Sequence, residues 1–357
     1  MTHHAVLPTG TVGPAPIEFR SDNSAPIAPE IIAAMERANT GTTIAYGADA
    51  ITAQLRDHVR SLFEHDGAEV FPVTSGTAAN ALSLAAMCPP WGAVLCHETA
   101  HIMVNEGGAT SHLSAGAVMK GVAGPDHRMS PEALRSTLAS ARWGDNHQSQ
   151  PTVLSFTQPT DFGTVYPLDE LRELTTIARE RNMKVHLDGA RFANAVVHLG
   201  CSPAEMTWKA GVEVVSLGST KNGGATAEAI VVFDPTVAAE LHYRTKRAGH
   251  VTSKMRFLSA QLLAHLGDDL WLRLAGNAND RMQQLAEGLA ALGVTLVNRP
   301  DVNMLFVELP DDRITRLEQA GLLFYRMGPG RLRLVTNWAT TSDEIDDALT
   351  RIASVLG

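Results

Sequence analysis

The chain has 357 residues, with 29 Lys+Arg against 38 Asp+Glu, 14 His, 3 Cys and 45% hydrophobic residues. At roughly 100–200 residues per domain this length predicts two domains, and a net charge of −9 argues against nucleic acid or an anionic membrane as the main partner. No apolar run reaches the ~18 residues that span a bilayer, and the composition is that of a folded chain.

Residues 1–16 (MTHHAVLPTGTVGPAP), rich in Gly, Pro and Thr, read as a flexible leader without a signal-peptide pattern. Their adjacent His3 and His4 need no metal to explain them. From Glu69 onward, short β-rich runs alternate with helical patterns. Val70–Val73 leads through Ser75-Gly76-Thr77 into the helical AANALSLAAMC, and Ala93–Cys96 is a second apolar run. Pro131 stands where a helix would start. Val153–Phe156 precedes a loop and then LDELRELTTIARERN, whose Leu168, Leu171 and Leu174 share one face. The runs KVHL (184–187), VEVVSL (212–217) and AIVVF (229–233) follow. Nearly continuous apolar strands alternating with helices predict an α/β fold, its mostly parallel sheet covered by helices on both faces.

The character changes after about residue 250. A long helical stretch (258–293), the strands NMLFVEL (303–309) and RLRLVT (331–336), and an amphipathic C-terminal helix predict a smaller α+β domain. The organisation expected is a leader (1–16), a segment joining the small domain (17–34), a large domain (35–255) and a small C-terminal domain (256–357). Cys88, Cys96 and Cys201 sit among small or apolar neighbours without metal-ligand spacing, as reduced residues of a cytoplasmic protein would.

One string, His97-Glu98-Thr99-Ala100-His101, matches H-E-x-x-H, which on a helix would set two imidazoles for zinc and a glutamate as base. Its context is wrong for a metalloprotease: it directly follows the apolar run AVLC, Gly107-Gly108 would soon end any helix, and the third-histidine position is Gly107. Ser75-Gly76-Thr77, between a strand and a helix of small residues, would offer unpaired N–H groups to an anion at a helix N-terminus. Asp188, in HLDGAR, and Lys221, in LGSTKNGG, each fall at a strand end, where open α/β sheets place ligand groups. A lysine among small residues there is costly unless its ammonium is neutralised or paired, and a lysine of lowered pKa forms a Schiff base with an aldehyde. A carboxylate beside a pyridine nitrogen keeps that nitrogen protonated. Together the three elements make a coherent site for pyridoxal 5′-phosphate.

The stretches FRSDNSA, AYGADAITAQL, TSGTAANALSL, HETAH, HLDGARFANAVV, LGSTKNG, KMRFLSAQ, NMLFV and RLRLVT resemble the low-specificity L-threonine aldolases. These are fold-type-I pyridoxal-phosphate enzymes of the aromatic amino-acid β-eliminating lyase group. The resemblance implies that Lys221 joins the cofactor, Asp188 partners its ring nitrogen, and Ser75, Gly76 and Thr77 hold its phosphate. It implies that His101 stacks on the ring and Arg191 lies near the cofactor's O3′. Ser21 and Arg333 would bind the substrate carboxylate, and His147 would sit near its hydroxyl. Tyr46 and Arg256 match loop positions that build the neighbouring subunit's site, so a dimer sharing its sites, assembled into a tetramer, is implied. The chain departs from the pattern at Thr74–Thr77, where many relatives have P-x-G-T, and at Thr157–Gly163, where many have E-N-T-H-N-G. A few residues also stand inserted before Lys254-Met255-Arg256.

The implied reaction is retro-aldol cleavage of L-threonine, L-allo-threonine and other β-hydroxy-α-amino acids to glycine and an aldehyde, with His101, His147 or a water as base. Fold and cofactor alone do not choose the bond that breaks. A β-eliminating lyase or a phenylserine-type aldolase is therefore the alternative reading, and a zinc protease the remotest.

Overall fold

The computed structural model describes residues 15–357, so His3, His4 and the rest of residues 1–14 lie outside the described residues. Thirteen strands occur among the described residues: β1 Ile17–Glu18, β2 Glu69–Val73, β3 Gly92–His97, β4 Val118–Val122, β5 Gln150–Thr157, β6 Lys184–Gly189, β7 Val214–Leu217, β8 Glu228–Val232, β9 Thr295–Leu296, β10 Met304–Glu308, β11 Leu322–Leu323, β12 Tyr325–Arg326 and β13 Arg331–Val335.

β2 to β8 form one seven-stranded sheet in the order β2-β8-β7-β6-β5-β3-β4. β3, β4, β5, β6 and β7 run parallel, and β8 is antiparallel to both of its neighbours. Alternate residues of a strand point to opposite faces, and here both faces carry an apolar core. Leu154, Phe156, Leu187, Val215 and Val231 enter one core; Val153, Val214, Ile230 and Val232 enter the other. That double burial is why the strands read as unbroken apolar runs rather than as alternation. The helix Gly76–Met87 lies in the second core and is buried on nearly every side, which its composition of small and apolar residues permits. β4 has no counterpart in the elements expected above. It is an edge strand, VMKGV, half-exposed and interrupted by glycine, and it pairs in parallel with β3.

A four-stranded sheet, β12-β13-β10-β9, forms the small domain with the helices Asp311–Gln319 and Ser342–Leu356. β1 pairs in parallel with β11, and Phe19 lies in the same core as Leu305 and Ile345. Packing draws the border between the domains differently from residue 255/256. The long helical stretch breaks at Asp268 and Asp269, both at positive φ, into Arg256–Leu266 and Leu270–Ala291. Leu258, Leu262, Trp271 and Ala275 pack into the large-domain core, whereas Met282, Leu285 and Leu289 pack into the small one. The border therefore falls inside the Leu270–Ala291 helix, whose continuous backbone joins the two units. No described helix is long and apolar enough to cross a membrane.

Candidate active site

A cleft of about 350 Å³ opens at the C-terminal edge of the parallel strands, where the connections leaving β2, β3, β5, β6 and β7 converge. Its lining includes Ser75, Gly76, Thr77, His101, Asp161, Asp188, Arg191 and Lys221.

Ser75 caps the Gly76–Met87 helix, its Oγ accepting from Ala78 N at 3.2 Å. The first-turn N–H groups that follow are left for an anion, and the helix dipole favours one there. A Cβ on Gly76 would meet nothing within 4 Å, so the backbone is open on that side.

Lys221 lies in a 3-10 turn, Thr220–Asn222, separated from β7 by Gly218 and Ser219. Buried Glu228 accepts from Ser219 N at 2.9 Å and Thr220 N at 3.3 Å, which fixes the chain leading into the lysine. Asn222 ties the exit to Trp271 O at 2.8 Å. Among the described residues no carboxylate lies within ion-pair distance of the Lys221 amine, so it is available to a ligand in the cleft.

Asp188, at the end of β6, is 3% exposed, and burial together with nearby Glu106 and Asp161 pushes its carboxyl up to about 6. Its Oδ1 accepts from Ala190 N at 3.1 Å and its Oδ2 from Asn80 Nδ2 at 2.9 Å. A carboxylate so placed favours a cationic N–H partner. His101 begins the short helix His101–Val104, and its Nδ1 lies 2.9 Å from Glu106 Oε1. That hydrogen bond raises its pKa against the opposing effect of burial.

Arg191 is buried and paired with Asp22, Nε donating to Oδ2 at 2.6 Å and Nη2 to Oδ1 at 3.0 Å. Burial alone would raise the Asp22 carboxyl; Arg191, Lys221 and Asn303 instead hold it below the usual range. Arg333, on β13, is lowered by burial and by the like charge of Arg191, and donates to Arg20 O at 3.1 Å. Its Nε is buried without a partner. The guanidinium therefore stands beside the Arg191–Asp22 pair from the small-domain side without lining the cleft itself.

The remaining expected residues lie elsewhere. Ser21 caps the turn Asp22–Ser24 through Asn23 N and adjoins Asp22, outside the lining. Tyr46, 59% exposed and at positive φ, lies under the Lys246 ammonium beside a separate depression that Arg56, His250 and Met255 also line. Arg256 starts its helix with Nε buried and unpartnered, away from the cleft. His147 is a correction: it is exposed in the turn before β5, at the opposite end of that strand from Thr157 and the cleft. The H-E-x-x-H string does not lie on one helix. His97 closes β3 and bonds to Thr99, while His101 opens a separate helix, so the two rings do not form a zinc pair.

Several cleft residues were not singled out in the sequence. Asn80, Glu106, Asp161 and Glu228 all line it, and Asp22, itself held by the Asn303 amide, braces Arg191 from behind. Glu106, the only acidic residue of its glycine-ended segment, was the available signal; Asn80 inside a helical run gave none.

The residues present fit pyridoxal 5′-phosphate: an anion-ready helix start, an unpaired lysine and a buried carboxylate open on one cleft, with polar atoms of Glu106 and Asn80 still unpartnered at its wall. A family model described as "Beta-eliminating lyase" matches residues 18–312. A low specificity L-threonine aldolase of Pseudomonas aeruginosa is 42% identical over 342 residues, covering 95% of this chain and 98% of that protein. A second, from a Pseudomonas species, is 40% identical over 341 residues with the same coverage. The solved structure of Leishmania major threonine aldolase superposes with a TM-score of 0.90 at 26% identity, covering 96% of this chain and all of that one. An aspartate aminotransferase of Thermus thermophilus shares the fold, with a TM-score of 0.66 at 19% identity over 93% of this chain and 89% of its own.

Proposed function

The chain belongs to the beta-eliminating lyase family, among the low specificity L-threonine aldolases, and from that premise we propose that it cleaves L-threonine to glycine and acetaldehyde. It is a pyridoxal-phosphate-dependent carbon–carbon lyase of fold type I. The observation that carries the reading is the meeting of Lys221, Asp188 and the Ser75–Thr77 helix start in one cleft, in a chain so similar to named aldolases.

Bound pyridoxal phosphate supplies a conjugated ring that accepts the electron pair released at the substrate Cα. The chain's residues do the rest. Lys221, which lines the cleft unpaired, would hold the cofactor through its amine, and Gly76 and Thr77, with the Ser75 cap, would hold its phosphate. Asp188 would hold a proton at the ring nitrogen. Arg333, whose unpartnered Nε stands beside the Arg191–Asp22 pair at the margin of the cleft, would with Ser21 take the substrate carboxylate as a planar fork, which would select the Cα bond presented for cleavage. Arg191 is held rigid by Asp22 beside that group. His101 would accept the β-hydroxyl proton; the Glu106 hydrogen bond makes its ring more basic, which suits that task. L-allo-threonine and bulkier β-hydroxy-amino acids belong to the same proposal.

Assembly is part of this reading. Tyr46 and Ile44, 59% and 70% exposed, and Arg256 would meet a second copy and complete its cleft, in a dimer that pairs into a tetramer. Free Cys88, Cys96 and Cys201 support a cytoplasmic location. The deciding experiment incubates purified holoenzyme with L-threonine. Glycine and acetaldehyde in equal amounts support the proposal; ammonia and 2-oxobutyrate would establish β-elimination instead.

A further inference from the structure

A line of hydrogen bonds crosses the wall of the cleft and joins its histidine to its aspartate. His101 Nδ1 lies 2.9 Å from Glu106 Oε1; the same oxygen accepts from Asn80 Nδ2 at 2.9 Å; and Asn80 Nδ2 also donates to Asp188 Oδ2 at 2.9 Å. The Glu106 side chain is 1% exposed, whereas that of His101 is 36% exposed. Asn80 is buried on the first turns of the Gly76–Met87 helix. Each member comes from a different element, so the line exists only in the folded chain.

The Glu106 contact bears on which way the imidazole is loaded. An ionised carboxylate only accepts hydrogen bonds, so the Glu106–His101 contact requires the proton on Nδ1. In the neutral ring the lone pair then sits on Nε2. No described residue hydrogen-bonds to Nε2, and that atom is not among the buried unpartnered ones, so it is open to the cleft. Glu106 itself is held in place by the Asn80 amide, which spans Glu106 and Asp188 and keeps two like charges apart with a donor to each.

We propose that Glu106 is a positioning residue that pins the His101 proton on Nδ1 and leaves Nε2 facing the substrate as the acceptor, with Asn80 holding Glu106 in that role. The inference rests on the reading above, in which His101 meets the substrate hydroxyl. It is the orienting third member seen in triad-type arrangements: a group that fixes the base while the base serves the reacting atom. The acidic groups that bear on the ring come from three segments: Glu106 from the connection after the His101–Val104 helix, Asp161 from the loop after β5, and Asp188 from β6; all three make the ring more basic, against its burial. Lys221 and Arg191, from the connections after β7 and β6, line the same cleft with the opposite charge, and Glu228 of β8 lines it too.

The test uses holoenzyme labelled with ring-15N histidine, the His101 signals being assigned by their loss in His101→Asn. In the wild type the neutral ring should carry its proton on Nδ1. Glu106→Gln keeps an acceptor oxygen but removes the charge. It should retain that tautomer, lower the His101 pKa by about one unit, and move the acid limb of kcat/KM for L-threonine down by the same amount. Glu106→Ala removes the acceptor as well; the tautomers should mix and the plateau of kcat/KM fall on the order of tenfold. Should the alanine variant not fold, the glutamine variant alone decides. A neutral wild-type ring protonated on Nε2, or a Glu106→Gln enzyme whose His101 titration and acid limb both stay put, overturns the proposal. Wild-type enzyme that releases no acetaldehyde overturns the aldolase reading instead, and the 15N result still stands or falls separately.

Discussion

Arg191 and Asp22, 169 positions apart, form a buried two-pronged ion pair, and Asn303 of the small domain donates to the same Asp22 carboxylate at 3.1 Å. The pair therefore fastens the N-terminal segment to the large domain's cleft and to the small domain at once. Removing one partner of such a pair leaves a buried charge uncompensated, typically at a cost of about 3–5 kcal/mol. Asp22→Ala should lower the denaturation midpoint accordingly, and the double variant Asp22→Ala/Arg191→Met should recover part of the loss. A single variant as stable as wild type, followed by urea titration, would show that the pair contributes nothing. Because the folded-state pKa of Asp22 is depressed, its contribution is present above the unfolded carboxylate value and is lost as acid takes the pH below it.

Lys221→Ala should abolish both the visible absorbance band of the purified holoenzyme and the release of acetaldehyde. Its loop is fixed by Glu228 and Asn222 rather than by the ammonium, so the variant should fold with a near-wild-type circular dichroism spectrum. Retention of the band and of cleavage would remove Lys221 from the chemistry.

How much of this site could be read beforehand depended on whether a signal was local. Asp188 and Lys221 announced themselves because each follows an apolar strand, and a polar group at a strand end is visible in one dimension. β4 was hidden because VMKGV at a sheet edge is half-exposed and neither alternates nor runs apolar. The break at Asp268 and Asp269 was hidden because aspartates tolerate positive φ without a sequence mark as plain as Gly-Pro. Asn80 and Glu106 are 26 residues apart and meaningful only through each other. His147 shows the converse: its match to a family position placed it by the substrate, whereas the direction of β5 carries it to the far end of the sheet.

Arg333 offers a clean separation of binding from turnover. Its fork is held by Arg20 O on one side and left unpartnered at Nε. Arg333→Lys keeps a charge but loses two-pronged geometry. KM for L-threonine should rise about 10- to 100-fold, the equivalent of a charge-assisted hydrogen bond, with a smaller change in kcat. An unchanged KM, measured by steady-state acetaldehyde release, would place the carboxylate elsewhere.

Asp188 should give the apoprotein a pH dependence opposite in sign to that of Asp22. Its folded carboxyl is raised to about 6, so folding favours the protonated form, and the stability this provides fades as pH rises from the unfolded value toward 6. Urea midpoints of the apoprotein should thus show a decline over that interval that Asp188→Ala lacks. Added pyridoxal phosphate, whose ring nitrogen would give the carboxylate a cationic neighbour, should cancel it. Parallel curves for the two apoproteins would mean that burial does not strain this carboxylate.

The closeness of Asp188 and Lys221 depends on two glycines that face each other across the ends of β6 and β7. Gly218 N donates to Gly189 O at 3.0 Å; a Cβ on Gly218 would stand 2.4 Å from Ala190 O, and one on Gly189 would stand 2.9 Å from Ser216 O. Both obstacles are backbone atoms, which cannot swing aside as a flexible side chain would. Gly218→Ala must therefore push the Ala190 turn away from the Lys221 turn, an overpacking that costs about 1–3 kcal/mol. Because the displacement falls between the aspartate and the lysine, pyridoxal-phosphate affinity should drop more than fold stability. Equilibrium titration of the apoprotein with pyridoxal phosphate, run beside thermal unfolding, measures the two separately. A variant that unfolds earlier yet binds the cofactor as tightly as wild type would show that the spacing of these strand ends is not what the site requires.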